Sequence, residues 1–270
     1  MIQGFETRKK TDIPITAFVN SAKGILHKKP KDKEVGQYEQ TEWETFKNLD
    51  DPIAVFGILR GTGDLIKKCM IQNQSFYYFD HAYYLGGRHS VSPYVNDKVY
   101  RITKNDYSLT HITKLTDKDY ERIEKYKPHY EIKPWKKEGR YILILDISKH
   151  ISKYFGCPDW LNDTIAQLKQ FTKKEIVVRT KETKESLKEQ LKEAYACVSY
   201  QSTGCIEAVL EGVPSFCGGL SCGLPVSHWD LQLIETPNYS DRREEWIHSL
   251  LANQFTMKEI KDGTAYEKVK

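Results

Sequence analysis

The stretch ACVSYQSTGCIEAVLEGVPSFCGGLSCGLP, residues 196–225, decides how this chain is read. A short apolar run, Ala196 to Tyr200, stops at Gln201-Ser202-Thr203-Gly204. An amphipathic segment follows with Cys205, Ile206, Ala208, Val209 and Leu210, and Gly212 and Pro214 lead into a second apolar run. The order is strand, small-residue turn, helix, strand. Such a turn offers backbone N–H groups at a helix N-terminus, beside hydroxyls, where the positive end of the dipole also favours an anion. The expected ligand is a phosphate group, and with it a nucleotide or nucleotide sugar.

Upstream, Tyr141 to Ile147 reads as a strand, and Pro158 to Phe171 as a helix with Trp160, Leu161, Ile165 and Leu168 at helical spacing. Ile176 to Val178 is a strand that runs into Arg179-Thr180-Lys181, and Lys184 to Tyr195 is a charged helix carrying Leu187 and Leu191. Strands alternating with helices of this length predict a parallel sheet covered on both faces. Ligands of such sheets bind outside the carboxyl ends of the strands. Arg179, Lys181 and Ser202 to Gly204 all follow strand ends and are expected to converge, the two cations beside an anion-binding turn. Glu207, one turn into the helix, suits a ribose hydroxyl and equally suits a first-turn carboxylate that complements the dipole.

The first half is read the same way. Ile13 to Val19 reads as a strand, 20–38 as a loop and 39–49 as a helix with Trp43 and Phe46 on one face. Ile53 to Leu59 is a buried strand, Arg60-Gly61-Thr62-Gly63 a turn, and Asp64 to Met70 a helix. The turn lacks the longer dinucleotide fingerprint and the lysine of a P-loop. Ser75 to Phe79 is a strand ending at Asp80-His81, where a carboxylate or imidazole can take a proton from an incoming hydroxyl. Asp80 capping a loop and His81 packed on a tyrosine is the plainer alternative. Residues 85–97 form a long loop, and 98–140 close the first half and link it to the second. Residues 228–270 have no strand pattern; Ser240 to Leu251 and Met257 to Lys261 read as helices. The expected domains are 1–135, 136–240 and a helical tail, 241–270.

Composition bounds the function. With 39% hydrophobic residues and 17 Tyr a packed core is affordable, and no apolar run of 18 residues marks a membrane span. The N-terminus has no secretory pattern, and the six cysteines, without a CxxC pair, read as reduced thiols of a cytoplasmic protein rather than a disulfide frame or zinc site. No HExxH or paired Cys/His spacing occurs, so neither a metal nor a resident cofactor is expected. A net charge of +4 is too small to imply nucleic acid by itself, though HKKPKDK (27–33) and KPWKKEGR (133–140) would suit a phosphate backbone if they shared a face.

The second half resembles the donor-binding domain of two-Rossmann (GT-B type) glycosyltransferases, on the strand, Ser-Thr-Gly turn, Glu207-Ala208 and Gly212-Val213-Pro214. With YFDHAYY (78–84), IVVRTK (176–181) and the tail 241–263, the resemblance extends to phage and prophage proteins of this type over residues 53–263. It implies two Rossmann-like α/β domains facing a cleft, with C-terminal helices bridging back, and sugar transfer from a nucleotide donor without a metal. Carried over by position, Ser202, Thr203, Gly204, Arg179 and Lys181 would hold the diphosphate and Glu207 the ribose. Asp80, aided by His81, would be the base, and Arg60, Gly61, Thr62 and Gly63 would line the acceptor side. The Glu-x7-Glu donor motif is absent, position 199 being Ser. A phage setting makes a hydroxymethylated pyrimidine in double-stranded DNA the expected acceptor, in the cytoplasm of a bacterial host, with no membrane partner. A surface glycan or lipid acceptor, a non-catalytic nucleotide or DNA binder, and a sugar-nucleotide epimerase are the alternatives.

Overall fold

The computed structural model describes residues 1–28, 46 and 50–270. The expected helix over 39–49 therefore lies outside the described residues apart from Phe46, as does most of the basic segment 27–33. Two compact units emerge: Met1–Tyr107 with Asn253–Lys270, and Ser108–Ala252.

The first unit contains β1 (Gln3–Phe5), α1 (Lys9–Ser21), β2 (Ile25–His27), β3 (Ile53–Phe56), α2 (Thr62–Ile71), β4 (Phe76–His81) and β5 (Val99–Lys104). In the second lie α3 (Asp117–Glu124), β6 (Tyr141–Leu145), α4 (Lys149–Tyr154), α5 (Trp160–Phe171), β7 (Glu175–Arg179), α6 (Leu187–Glu193), β8 (Ala194–Ser199), α7 (Gly204–Leu210), β9 (Ser215–Cys217) and α8 (Arg243–Ala252). The chain then returns to the first unit with β10 (Gln254–Thr256), α9 (Met257–Lys261) and α10 (Thr264–Val269).

Among the described residues the first sheet has six strands in the order β10-β5-β4-β3-β1-β2. β2, β1, β3 and β4 run parallel, whereas β5 is antiparallel to β4 and β10 to β5. One face carries Ala54, Tyr77, Phe79, Tyr100, Ile102 and Phe255, packed with Ile15, Phe18 and Val19 of α1 and Met257 and Ile260 of α9. α2 buries Leu65, Ile66 and Cys69. The second sheet, β7-β6-β8-β9, is parallel throughout. Leu168 of α5 joins Ile142, Ile144, Ala196 and Val198 in one core, while Leu191 of α6 and Ala208 of α7 join Leu143, Leu145 and Cys197 in another. Covered from both sides, β8 is buried along its whole length, which is why its sequence does not alternate. The result is an α/β protein of two Rossmann-like parallel-sheet units, as the sequence implies. No described helix is long and apolar enough to cross a membrane.

Several elements differ from the sequence reading. Ile13 to Val19 lies inside helix α1, not in a strand: Ile15, Phe18 and Val19 are buried at helical spacing. Asp12 also holds the start of that helix, accepting the N–H groups of Thr7 (2.6 Å) and Arg8 (2.8 Å). Pro14 lies inside the same helix, where it supplies no N–H for an intrahelical bond. The stretch 98–140 does close the first unit, with β5, but the rest of it is no mere linker, since it supplies α3 of the second unit. The tail contributes a strand, β10, where none was expected, and α9 opens on a Thr256–Glu259 capping box.

The units also follow boundaries other than 135 and 240. Residues 108–140 are tied to the second unit: the Thr113 N–H donates to Ser249 Oγ (2.9 Å), and Arg122 donates to the Ala252 carbonyl (2.5 Å). α8 belongs to the same unit, where Trp246, 1% exposed, donates its indole N–H to the Cys222 carbonyl (2.7 Å).

Phe255 is fully buried on the returning strand. Phe255→Ala is expected to cost about 3–5 kcal/mol in urea unfolding of the first unit. A loss below about 1 kcal/mol would mean that β10 is not part of its cooperative core.

Candidate functional site

Both parallel cores repeat one topology. In each, the first strand is central, the second lies on one side and the third and fourth on the other: β2-β1-β3-β4 and β7-β6-β8-β9. The connection leaving the first strand and the one leaving the third depart in opposite directions, so a crevice opens between those strands at their carboxyl ends. In the second unit it lies between β6 and β8, and the strands end level: Leu145 is opposite both Arg179 and Ser199, and Ser199 is opposite Cys217. Asp146-Ile147-Ser148 and Tyr200 to Thr203 form its two lips. Asp146 is exposed there and was not singled out from the sequence.

Ser202, Thr203 and Gly204 sit where expected, in the turn that opens α7. Their donors are partly spent. Ser202 Oγ accepts the Gly204 N–H (3.1 Å), and the N–H groups of Cys205 and Ile206 go to the carbonyls of Ser202 and Thr203. No hydrogen bond among the described residues takes the backbone N–H of Ser202 or Thr203, so these two groups, not that of Gly204, are available to an anion. Gly204 has a packing reason: a Cβ there would lie 2.7 Å from Leu145 Cδ1 and 3.1 Å from Leu187 Cδ2. Just past α7, Gly212 is left-handed (φ +79°), and its Cβ would meet the Pro134 carbonyl oxygen at 2.1 Å.

The expected convergence of cations is incomplete. Arg179 ends β7, two strand positions from β8 and so roughly 10 Å across the sheet. Its Nη1 donates to the Glu185 carbonyl (2.6 Å) and Gln190 Oε1 (2.7 Å), which fixes the guanidinium against α6. Arg179 is instead brought within electrostatic reach of Glu207. Burial raises the Glu207 carboxyl above its ordinary value, and the Arg179 charge opposes that rise. Lys181 is exposed in the turn beyond.

Beneath the turn lies a nest of thiols and hydroxyls that sequence spacing did not suggest. Cys217 Sγ lies 3.5 Å from Ser215 Oγ and 3.7 Å from Ser227 Oγ, and Cys205 Sγ 3.7 Å from Ser221 Oγ. All six cysteines are free, and all but Cys157 are buried. No described group of three or more His, Cys, Asp or Glu side chains is placed to ligate one metal ion.

In the first unit, Arg60-Gly61-Thr62-Gly63 follows β3 and opens α2, the place that Ser202 to Gly204 take in the second. Its backbone is tightly wound, with Gly57, Arg60 and Gly61 all at positive φ. Thr62 is buried, its hydroxyl within hydrogen-bond distance of the Gly57 (2.9 Å) and Leu59 (2.7 Å) carbonyls. That side chain closes the turn.

Asp80 and His81 end β4. Three donors engage Asp80, whose side chain stays 29% exposed. Its Oδ2 accepts from Arg101 Nη2 (2.8 Å) and the Tyr78 hydroxyl (3.2 Å), and its Oδ1 from the His81 backbone N–H (2.7 Å). Arg101 stands directly opposite Asp80 on β5 and also lies over the Tyr83 ring, 5.2 Å from its centroid. His81 is half-buried, with Phe56 edge-on at 5.6 Å and His89 at 6.5 Å between ring centroids. Burial lowers the imidazole below its ordinary value. The Asp80 carboxylate opposes this shift, and Arg88, His89 and Arg101 add to it.

Three of the four cations of the basic segment 133–140 are engaged within the second unit, two of them by carboxylates. Lys133 pairs with Glu211 (2.5 Å) and Arg140 with Glu193 (2.7 Å), and Lys136 Nζ donates to the Leu191 (2.7 Å) and Lys192 (3.1 Å) carbonyls. Trp135 carries the Arg243 guanidinium 3.9 Å over its ring.

The titrations run in opposite directions. With His81 lowered, the unfolded imidazole, near 6.5, protonates first as pH falls. Its contribution is therefore present above 6.5 and lost on acidification, and half-buried His27 and buried His248 act in the same sense. Urea midpoints are expected to fall between pH 7.5 and 5.5, with less of a fall in His81→Gln. With Glu207 raised, the unfolded carboxyl, near 4.5, ionises first as pH rises, so its contribution is present below 4.5 and lost above. Glu207→Gln is expected to be more stable than the parent at pH 7 and to lose that advantage at pH 4. A destabilised variant at pH 7 would show that the carboxylate is compensated in the fold.

No protein-family model matches the chain, and no curated protein matches it in sequence. Among solved structures, the Thermosulfurimonas dismutans KpsC, beta Kdo 2,7 transferase is similar with a TM-score of 0.53 at 11% identity, covering 99% of this chain and 99% of that one. A second KpsC structure from that organism, beta Kdo 2,4 transferase, gives a TM-score of 0.49 at 11% identity, covering 93% of this chain and 89% of that one. At this identity the likeness to the 2,7 transferase is one of fold, and it extends over both Rossmann-like units.

Proposed function

We propose that the chain is a glycosyltransferase that moves a sugar from a nucleotide-sugar donor to a hydroxyl of a glycan. The observation that carries this reading is the β6/β8 crevice with the available N–H groups of Ser202 and Thr203, in a fold shared with a sugar transferase. Those N–H groups meet the phosphate of the donor, the exposed Lys181 is the cation that joins them, and Glu207 accepts from the ribose. Arg179 acts mainly through Glu207, holding the carboxyl nearer its ionised form.

Within the first unit, Asp80 accepts from Arg101, Tyr78 and a backbone N–H, whereas burial lowers His81 and favours a neutral imidazole with a ring nitrogen able to accept, so His81 is our candidate general base. In the transfer the acceptor hydroxyl gives its proton to a general base as its oxygen bonds to the anomeric carbon. The bond from that carbon to the phosphate oxygen breaks, and the nucleotide leaves with the electron pair, met by the N–H groups at the turn. A glycan acceptor fits better than DNA because the cations of 133–140 are engaged inside the second unit.

The test incubates the protein with a panel of nucleotide sugars and either oligosaccharide acceptors or duplex DNA carrying 5-hydroxymethylpyrimidines, and reads the product by mass spectrometry. A sugar mass gained by an oligosaccharide is the expected result. Gain only on DNA would replace the acceptor, and nucleotide binding without any transfer would leave a binding protein. In the active pairing, His81→Gln is expected to lower kcat about 100-fold or more with nucleotide affinity kept. An unchanged kcat would remove His81 from the reaction.

A further inference from the structure

The two edges of the second sheet end differently. Beside β9, His228 runs as a parallel bridge partner of Phe216: the Cys217 N–H donates to the His228 carbonyl (2.7 Å) and the His228 N–H to the Ser215 carbonyl (3.1 Å). Beside β7 no described strand follows. The Asp146 N–H donates to the Arg179 carbonyl (2.9 Å), which sets the alternation along β7. Glu175, Val177 and Arg179 turn their backbone groups to β6, and Ile176 and Val178 turn theirs to the open edge. On either side of these two residues the edge is closed by hydroxyls of its own chain. Thr172 Oγ1 accepts the Lys174 N–H (3.0 Å), and Thr183 Oγ1 the Thr180 N–H (3.0 Å). No hydrogen bond among the described residues takes the outward groups of Ile176 or Val178. The side chains of Ile176, Val177 and Val178 are half-buried, whereas β8 and β9 are buried throughout.

We propose that β7 pairs antiparallel with β7 of a second copy of this chain, with Val177 on the two-fold axis. In this register Ile176 of each copy stands opposite Val178 of the other. Such a pair exchanges both its N–H and C=O groups, so every open backbone group of the edge finds a partner. Moving the second copy by one residue would set outward groups against inward ones. Moving it by two would bring Val178 opposite Lys174 or Ile176 opposite Thr180, whose N–H groups are already taken. The favoured register also places Glu175 opposite Arg179 of the other copy at both ends of the ladder, a carboxylate facing a guanidinium. Glu175 is exposed and makes no ion pair among the described residues, and Arg179 spends only Nη1 on Glu185 and Gln190. Read backwards, Glu175-Ile176-Val177-Val178-Arg179 exchanges its charges and keeps β-branched residues between them, the pattern of a strand that fits itself. The strand is short, so the dimer is weak and forms with concentration. In an antiparallel pair the carboxyl-end rims of the two sheets point in opposite directions.

Sedimentation velocity of the full chain from about 1 µM to 1 mM tests this, with a monomer–dimer equilibrium as the expected result. Glu175→Arg sets two like-charged pairs across the axis and is expected to weaken the dimer about tenfold. Val178→Pro removes one outward N–H while leaving the bonds to β6, so it should give a folded monomer. Two variants are used so that one folding failure is not decisive. Amide exchange at Ile176 and Val178 is expected to be fast in dilute solution and to slow as the dimer forms. A monomer at every concentration would overturn the proposal. So would a dimer that keeps its affinity in Glu175→Arg or in a folded Val178→Pro, which would lie on another surface. Slow exchange of these amides in the monomer would mean that another part of the chain covers the edge, which also overturns it.

Discussion

Everything functional in this molecule follows from parallel strand pairing. Parallel strands all end at one edge of their sheet, so each loop leaving a carboxyl end joins the same rim. In the second unit Leu145, Arg179, Ser199 and Cys217 end in a single row, held there by backbone hydrogen bonds between neighbouring strands. Crossovers on both faces then bury β8 completely and leave its last residues as the chain's path to the rim. The first unit repeats the device with four parallel strands before it departs from it: β5 and β10 run antiparallel, and with β5 comes Arg101.

That departure changes the chemistry at the end of β4. A lone carboxylate at a strand end is free to act as a base. Here the antiparallel neighbour places an arginine directly across from it, and Arg101 pairs with Asp80 at 2.8 Å. Burial of the neighbouring His81 pushes its imidazole below the ordinary value. In the second unit the analogous balance is between Arg179 and Glu207, with burial pushing the carboxyl one way and the guanidinium the other.

What the sequence disclosed and what it hid divide along contact distance. Strand, turn and helix at 194–217 are consecutive in the chain, and apolar runs with small-residue breaks mark them locally. Helix α1 was misread because Ile13, Ile15, Thr16 and Val19 favour strands by type, although Ile15, Phe18 and Val19 are spaced for a helix. β10 has three residues and no periodicity to detect; it exists because β5 offers an edge more than 150 residues upstream, as the pairing Gln254 with Arg101 makes plain. The engagement of Asp80 depends on a cross-strand partner, Arg101, which is no pattern along one segment. The basic stretch 133–140 was legible as charge, but its partners Glu193 and Glu211 were legible only in space.

The returning strand has a consequence for how the protein is made. The second unit is one uninterrupted stretch, Ser108–Ala252, and has all its parts as soon as that stretch has left the ribosome. The first unit, begun earlier, has to wait: its sheet lacks its edge strand β10, and Phe255, Met257 and Ile260 are missing from its core, until residues 253–270 are synthesised. The half that is begun first is therefore the half that is completed last, and in the interval β5 is left as an open edge able to mispair with another nascent chain.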